Sequence, residues 1–205
     1  MNAERHSHWN KVYATKSADR VSWFQPRAET SMRLIAAAGA QENSAIIDIG
    51  GGSSVLIDQL LDADFSDVTV LDISERALVG SKERLGARAA EVRWIVSDIL
   101  AWAPARSYDI WHDRAAFHFL TDERDRAVYR ATLLKGLRRG GALIIGTFAE
   151  DGPEKCSGLP VHRWSAETLA EELGSEFRLI EWLRENHSTP WGSVQAFMWA
   201  RFERL

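Results

Sequence analysis

Ala45-Ile-Ile-Asp-Ile-Gly-Gly-Gly-Ser-Ser54 is an apolar run that ends in an acid and breaks into three glycines. The first half suits a strand buried on both faces, and the second suits a tight turn. Val55-Leu-Ile-Asp-Gln-Leu-Leu61 follows with the apolar spacing of a helix. Strand, glycine turn and helix start together make a place where a ligand can approach main chain unobstructed by side chains.

Outward from this stretch the chain alternates. Strands are expected at 45–49, 68–73, 92–97, 108–112 and 142–148, and helices near 54–62, 75–86 and 122–138. This rhythm predicts an α/β fold with a doubly wound, mostly parallel sheet whose strand ends share one edge. The helix near 122 has Thr121-Asp-Glu at its start, with Lys135 and Arg138-Arg-Gly-Gly141 expected to close it and its arginines expected to form a solvated face. Ser165 reads as the N-cap of a further helix. Two last strands, 177–184 and 194–203, flank His187-Ser-Thr-Pro-Trp-Gly192, which predicts an antiparallel pair at the end of the sheet. Ahead of the sheet, residues 5–38 read as helical with an irregular middle. Pro26 is expected in the first turn of a second helix, and Gly39 as its stop. Trp9 and Tyr13 lie four apart, hence on one helical face. With Trp23 and Phe24 they read as a packing arm or a lid.

Bulk properties narrow the function classes. A chain of 205 residues supports one domain with a sizeable core. No apolar run approaches the roughly 18 residues of a membrane span, and the N-terminus lacks the apolar core of a signal peptide, so a cytoplasmic location is expected. The single cysteine, Cys156, cannot build a thiolate metal cluster, and no metal is expected. A net charge of −4 with interspersed signs leaves no electrostatic footprint for nucleic acid.

Three acids stand at expected strand ends: Asp48, Asp72 and Asp98. In a doubly wound sheet they fall near the topological switch point, where ligands of such folds bind. Asp72 lies 20 residues after Gly52, the spacing of an acid that takes ribose hydroxyls. Gly50 and Gly52 fit a dinucleotide fingerprint, but Val55 stands at its third glycine. Asp48 beside the turn is ill-suited to a phosphate and well suited to a cationic ligand end. No Gly-Lys-Ser/Thr follows, which excludes a Walker loop.

Asp48-Ile-Gly-Gly-Gly52, Leu71-Asp72-Ile-Ser and Ser97-Asp98-Ile resemble the first three motifs of the class I S-adenosylmethionine-dependent methyltransferases. The antiparallel ending is similar to that family's Rossmann-like sheet of seven strands in order 3-2-1-4-5-7-6, the seventh reversed. The resemblance covers roughly residues 40–205 and implies two parts, an N-terminal helical arm or lid (1–39) and a methyltransferase domain (40–205). His8-Trp-Asn-Lys-Val-Tyr13 with Val21-Ser-Trp-Phe-Gln25 also resembles small relatives of the protein-lysine methyltransferases, with Asn10 where those have Asp.

The resemblance implies S-adenosyl-L-methionine as cofactor. It implies that Gly50, Gly51 and Gly52 admit the methionine part and that Asp48 lies at its amino group. Asp72 would hold the ribose, Ile73 and Ile99 would flank adenine, Asp98 would accept from the adenine amino group, and Tyr13 and Trp23 would cover the cofactor. Arg114 could bind a carboxylate of cofactor or substrate. Catalytic candidates are His112, Asp113 and His187, histidine being able to exchange protons near neutral pH. Acceptor-side candidates are Trp9, Phe117, Cys156, His162 and Trp191. A small-molecule acceptor is expected, with no nucleic acid and no membrane. The alternatives are a protein-lysine methyltransferase and a cofactor-binding module without turnover.

Overall fold

The structure is a computed structural model that describes residues 3–15 and 17–205, so Met1, Asn2 and Lys16 of the expected arm lie outside the described residues. Helices α1 (Ala3–Thr15) and α2 (Glu29–Ala37) precede the sheet. Then β1 (Ala45–Ile49), α3 (Leu56–Asp62), β2 (Asp67–Asp72), α4 (Glu75–Leu85), β3 (Val92–Val96), β4 (Tyr108–Arg114), α5 (Glu123–Gly136) and β5 (Leu137–Phe148) alternate. A small ribbon follows, β6 (Lys155–Cys156) with β7 (Leu159–Pro160), and then α6 (Ala166–Leu173), β8 (Phe177–Ser188) and β9 (Val194–Arg204).

All five residues of β1 are buried, as a central strand covered on both faces requires. The main sheet has seven strands in the order β3-β2-β1-β4-β5-β9-β8. The first five are mutually parallel, while β9 runs antiparallel to both of its neighbours. This is the Rossmann-like methyltransferase fold. Strand order reverses between β1 and β4, so their carboxyl ends open a crevice there. The pleat divides the core. Leu143 and Ile145 of β5 pack with Leu133 of α5 and Leu169 of α6, while Ala142 and Ile144 pack with Ile35 of α2, Leu60 of α3 and Leu78 of α4. No helix among the described residues is long and apolar enough to cross a membrane.

Several local expectations are corrected. Helix α2 starts at Glu29 after Ala28, so Pro26 lies before its first turn, while Gly39 at φ +74° does end it. Helix α5 stops at Gly136, and Leu137 is already extended. Gly140 and Gly141 therefore do not cap it: they lie in β5 near a register shift against β4. Arg126 is no solvated arginine. It is 9% exposed, its Nε donates to Glu172 Oε2 at 2.9 Å and its Nη1 to the carbonyls of Leu120 and Thr121, tying α5 to α6. The ribbon of β6 and β7 falls in a stretch where no strand was expected. Ser165 caps α6 in a capping box with Thr168.

Candidate functional site

The turn after β1 explains its own composition. Gly50 has φ +68°, and its amide donates to Leu71 O at 2.7 Å, tying the turn to β2. A Cβ at Gly51 would collide with Asp48 Oδ2, and one at Gly52 would lie 2.6 Å from Asp72 Oδ2. Two carboxylates thus fit beneath the turn because side chains are missing above them.

Asp72, at the end of β2, is 4% exposed. Its Oδ2 accepts from the Gly52 amide at 3.0 Å and its Oδ1 from the Ser74 amide at 2.7 Å. Burial dominates these amides and pushes its carboxyl up to about 7, with nearby Asp48 acting in the same direction. Asp98, just beyond β3, is 5% exposed; its Oδ1 accepts from the Leu100 amide at 3.0 Å, and Arg5 Nη1 lies 4.0 Å from its Oδ2. Asp48 stands opposite His112 in the register of β1 with β4. His112 Nδ1 lies 2.7 Å from Asp48 Oδ1, and its Nε2 lies 2.9 Å from Ser31 Oγ.

Above these acids lies a cleft enclosing about 800 Å³ with its mouth. Ile49, Gly50, Asp72, Ile73, Asp98 and Ile99 line it from the sheet, Arg114, Ala115, Ala116 and Phe119 from the turn after β4, and Cys156 from the ribbon. The arm supplies Arg5, Trp9, Tyr13 and Trp23. Trp9 packs edge-on against Phe119 and Trp23, with ring centroids 5.0 and 5.9 Å away. The arm is anchored where Ser74 Oγ donates to Asn10 Oδ1 at 2.7 Å and where Arg5 pairs with Asp125. Tyr13 is held protonated by burial and by Asp72. A second, smaller chamber adjoins the cleft. It shares Tyr13, Trp23, Gly50 and Arg114, and adds Asp48, Gly51, Ser53, Gln25 and His112.

The remaining candidates lie elsewhere. Gly52 lines neither chamber and instead supports Asp72. Asp113 is fully buried: Oδ1 accepts from the amides of Ala116 and Phe117, and Oδ2 from Tyr129 OH at 2.7 Å. This shapes the turn that carries Ala115 at φ +62°. Burial raises the Asp113 carboxyl to about 6. Phe117 packs in the core against Tyr129 and Trp164. His162 stacks on Trp164 at 4.1 Å, with burial holding it below its ordinary value. His187 Nε2 lies 2.7 Å from Ser22 O, and burial and Arg114 lower its pKa. Trp191 is 60% exposed in the turn between β8 and β9. None of these five lines either chamber.

Arg5, Phe119 and Ser31 were not among the expected residues. Arg5 had a signal, since Arg5, Trp9 and Tyr13 recur every four residues on one helical face. Ser31 had none, because its contact with His112 spans 81 residues of sequence.

A family model described as a methyltransferase domain matches residues 46–141. The chain is 26% identical over 113 residues to a malonyl-[acyl-carrier protein] O-methyltransferase of Ilyobacter polytropus, covering 55% of this chain and 42% of that protein. It is 27% identical over 141 residues to a trans-aconitate 2-methyltransferase of an Azoarcus species, covering 67% and 49%. It thus spans less than half the length of these curated relatives. Among solved structures, a methyltransferase from Anabaena variabilis superposes with a TM-score of 0.77 at 17% identity, covering 100% of this chain and 96% of that one. The N-methyltransferase NodS of Bradyrhizobium japonicum superposes with a TM-score of 0.72 at 18% identity, covering 95% and 97%. Sequence model and fold converge: residues 46–141 match a methyltransferase domain, and the chain has the fold of the S-adenosylmethionine-dependent methyltransferases.

Proposed function

We propose that the chain transfers a methyl group from S-adenosylmethionine to a small-molecule acceptor held in the cleft. The observation that carries this reading is the pair of buried carboxylates, Asp72 and Asp98, beside a turn whose amides and absent side chains leave main chain open. The cradle suits that cofactor, because Asp72 has one amide on each oxygen and Asp98 one amide on Oδ1, and both keep lone pairs to spare for hydroxyl or amino donors.

In this reading Asp72 accepts from the ribose and Asp98 from the adenine amino group, while Ile73 and Ile99 flank the ring. Gly50 and Gly51 admit the methionine part, with Asp48 at its amino end. S-adenosylmethionine supplies a methyl carbon already activated by a sulfonium. The chain's own task is then to align a nucleophile and exclude water. The segment before residue 40 serves this by laying Arg5, Trp9, Tyr13 and Trp23 over the cleft. His112 acts as a positioning residue for Asp48, both of its nitrogens being committed. An acceptor atom that enters already able to attack needs no base, and no histidine lines the main cleft among the described residues. The enclosed aromatic walls favour a small acceptor, in keeping with the trans-aconitate 2-methyltransferase among the relatives.

Calorimetry with S-adenosylhomocysteine tests the cofactor half. Asp72→Ala is expected to weaken binding by about tenfold or more, the loss of charge-assisted hydrogen bonds; unchanged affinity would end the assignment. Incubating cell lysate with methyl-labelled cofactor tests the acceptor half. Label is expected in the small-molecule fraction, and label in protein bands would instead favour the protein-lysine reading.

A further inference from the structure

Arg114 ends β4 with its guanidinium 4.9 Å above the ring of Phe197 on β9, and its Nη1 donates to Trp23 O at 2.8 Å. Its Nε and Nη2 are buried and have no partner. Those two N–H groups share one edge of the guanidinium plane, the edge that matches the two oxygens of a carboxylate. Leaving two buried donors unmade is costly, and an anion arriving in the cleft relieves that cost. Arg114 lines both chambers.

Its place in the sheet separates it from the nucleoside end. Asp72 and Asp98 follow β2 and β3, on one side of the glycine turn of β1. Arg114 lies on the other side and leans over β9, and the carboxylate acting on it most is Glu185 of β8, ahead of Asp48. Glu185 does not neutralise it directly. The two form no ion pair among the described residues, Glu185 Oε1 accepts from Gln25 Nε2 at 3.0 Å, and Oε2 is buried without a partner. The rings of Trp9, Trp23 and Phe119 supply flat apolar walls in the same cleft.

We propose that the Nε and Nη2 edge of Arg114 anchors the acceptor through a carboxylate, so that the acceptor is a small, flat carboxylic acid. This rests on the methyltransferase reading above and assigns Arg114 to the acceptor and not to the cofactor.

The test is calorimetric titration of the protein loaded with S-adenosylhomocysteine, using benzoate against benzamide and crotonate against crotonamide. Each pair differs mainly in charge. At least one acid is expected to bind about tenfold or more tightly than its amide, the worth of a charge-assisted bidentate contact. Arg114→Lys keeps the charge and loses the fork, and Arg114→Gln loses both. Each is expected to abolish the preference while leaving affinity for S-adenosylhomocysteine within about twofold, since hydrogen bonds to the nucleoside end are untouched. Equal binding of acids and amides overturns the proposal. So does a preference that survives in Arg114→Gln, or a variant that keeps the preference and loses cofactor affinity, which would assign the arginine to the methionine carboxylate. If the unaltered protein fails to bind S-adenosylhomocysteine, the methyltransferase reading falls first and the anchor with it. Near-ultraviolet circular dichroism of both variants separates these outcomes from misfolding.

Discussion

His112 and Asp48 face each other across β1 and β4, 2% and 3% exposed, so carboxylate and imidazole have each other and Ser31 in place of water. His112→Phe keeps most of the volume and strands a buried carboxylate, which is expected to cost about 3 kcal/mol in urea unfolding, whereas Ser31→Ala is expected to cost about 1 kcal/mol. A near-neutral His112→Phe would show that Asp48 draws its support from elsewhere. At this scale the sequence was legible where chemistry follows position along a strand. Asp48, Asp72 and Asp98 could be placed because each stands at a strand end beside a turn. It was illegible where register decides. That His112 follows an apolar strand suggests a group facing the ligand, yet the register opposite Asp48 commits both of its nitrogens away from the main cleft. The hydrogen bond that Asp113 accepts from Tyr129 likewise comes from 16 residues onward and another element.

Between elements, the decisive joint is the one that closes the arm over the sheet. Helix α1 rests its aromatic face, Trp9 and Tyr13, on Trp23 and Phe119, and two polar joints fix its place: Asn10 with Ser74 at the N-cap of α4, and Arg5 with Asp125 in the first turn of α5. Each such bond contributes roughly 1 kcal/mol, so the joint belongs to the low-stability end of the molecule. The double variant Arg5→Ala and Asn10→Ala is expected to speed amide exchange in α1 while leaving β1 unchanged, and to weaken S-adenosylhomocysteine binding by about threefold to tenfold. Equal acceleration in β1 would mean that arm and sheet open as one unit. Elements that alternate between buried strand and amphipathic helix were readable because their periods differ, and all seven long strands were anticipated. Some of their ends were not. β5 begins at Leu137, five residues before its apolar run, because Leu137 pairs with Tyr108 across a register shift. β8 runs on through Glu185, Asn186 and His187 because backbone pairing with β9, and not hydrophobicity, holds it. The ribbon of β6 and β7 has two residues in each strand, too few for any period to appear.

Across the whole molecule, the two halves of the crevice each hold buried ionisable groups whose strain ligand binding can relieve, and folding stability should carry their signature. Asp72 titrates at about 7 in the folded chain against an ordinary 3.8, and Asp113 at about 6, both because burial disfavours charge. Between pH 3.8 and those values the folded chain holds protons that the unfolded chain has released, so each group makes stability fall as pH rises. His118 acts in the opposite sense. Buried with neither nitrogen partnered, it is pushed down to about 3 from 6.5, so the unfolded chain holds the extra proton and stability rises with pH across that window. Substitutions isolate each contribution, because the lost contacts give a nearly constant offset whereas the lost proton gives a slope. For ligand-free protein in urea, the stability of Asp72→Asn relative to the unaltered chain is expected to climb by about 1.4 kcal/mol per pH unit between pH 4.5 and 6.5. His118→Phe is expected to give a relative slope of similar size and opposite sign between pH 4 and 6, again about 1.4 kcal/mol per unit. A flat difference for Asp72→Asn would mean that the carboxylate is ionised throughout and already compensated without ligand. Saturating S-adenosylhomocysteine provides the link to function, since hydroxyl donors favour the ionised carboxylate. The slope of the Asp72→Asn difference is then expected to shrink, as binding stabilises the form that burial alone disfavours.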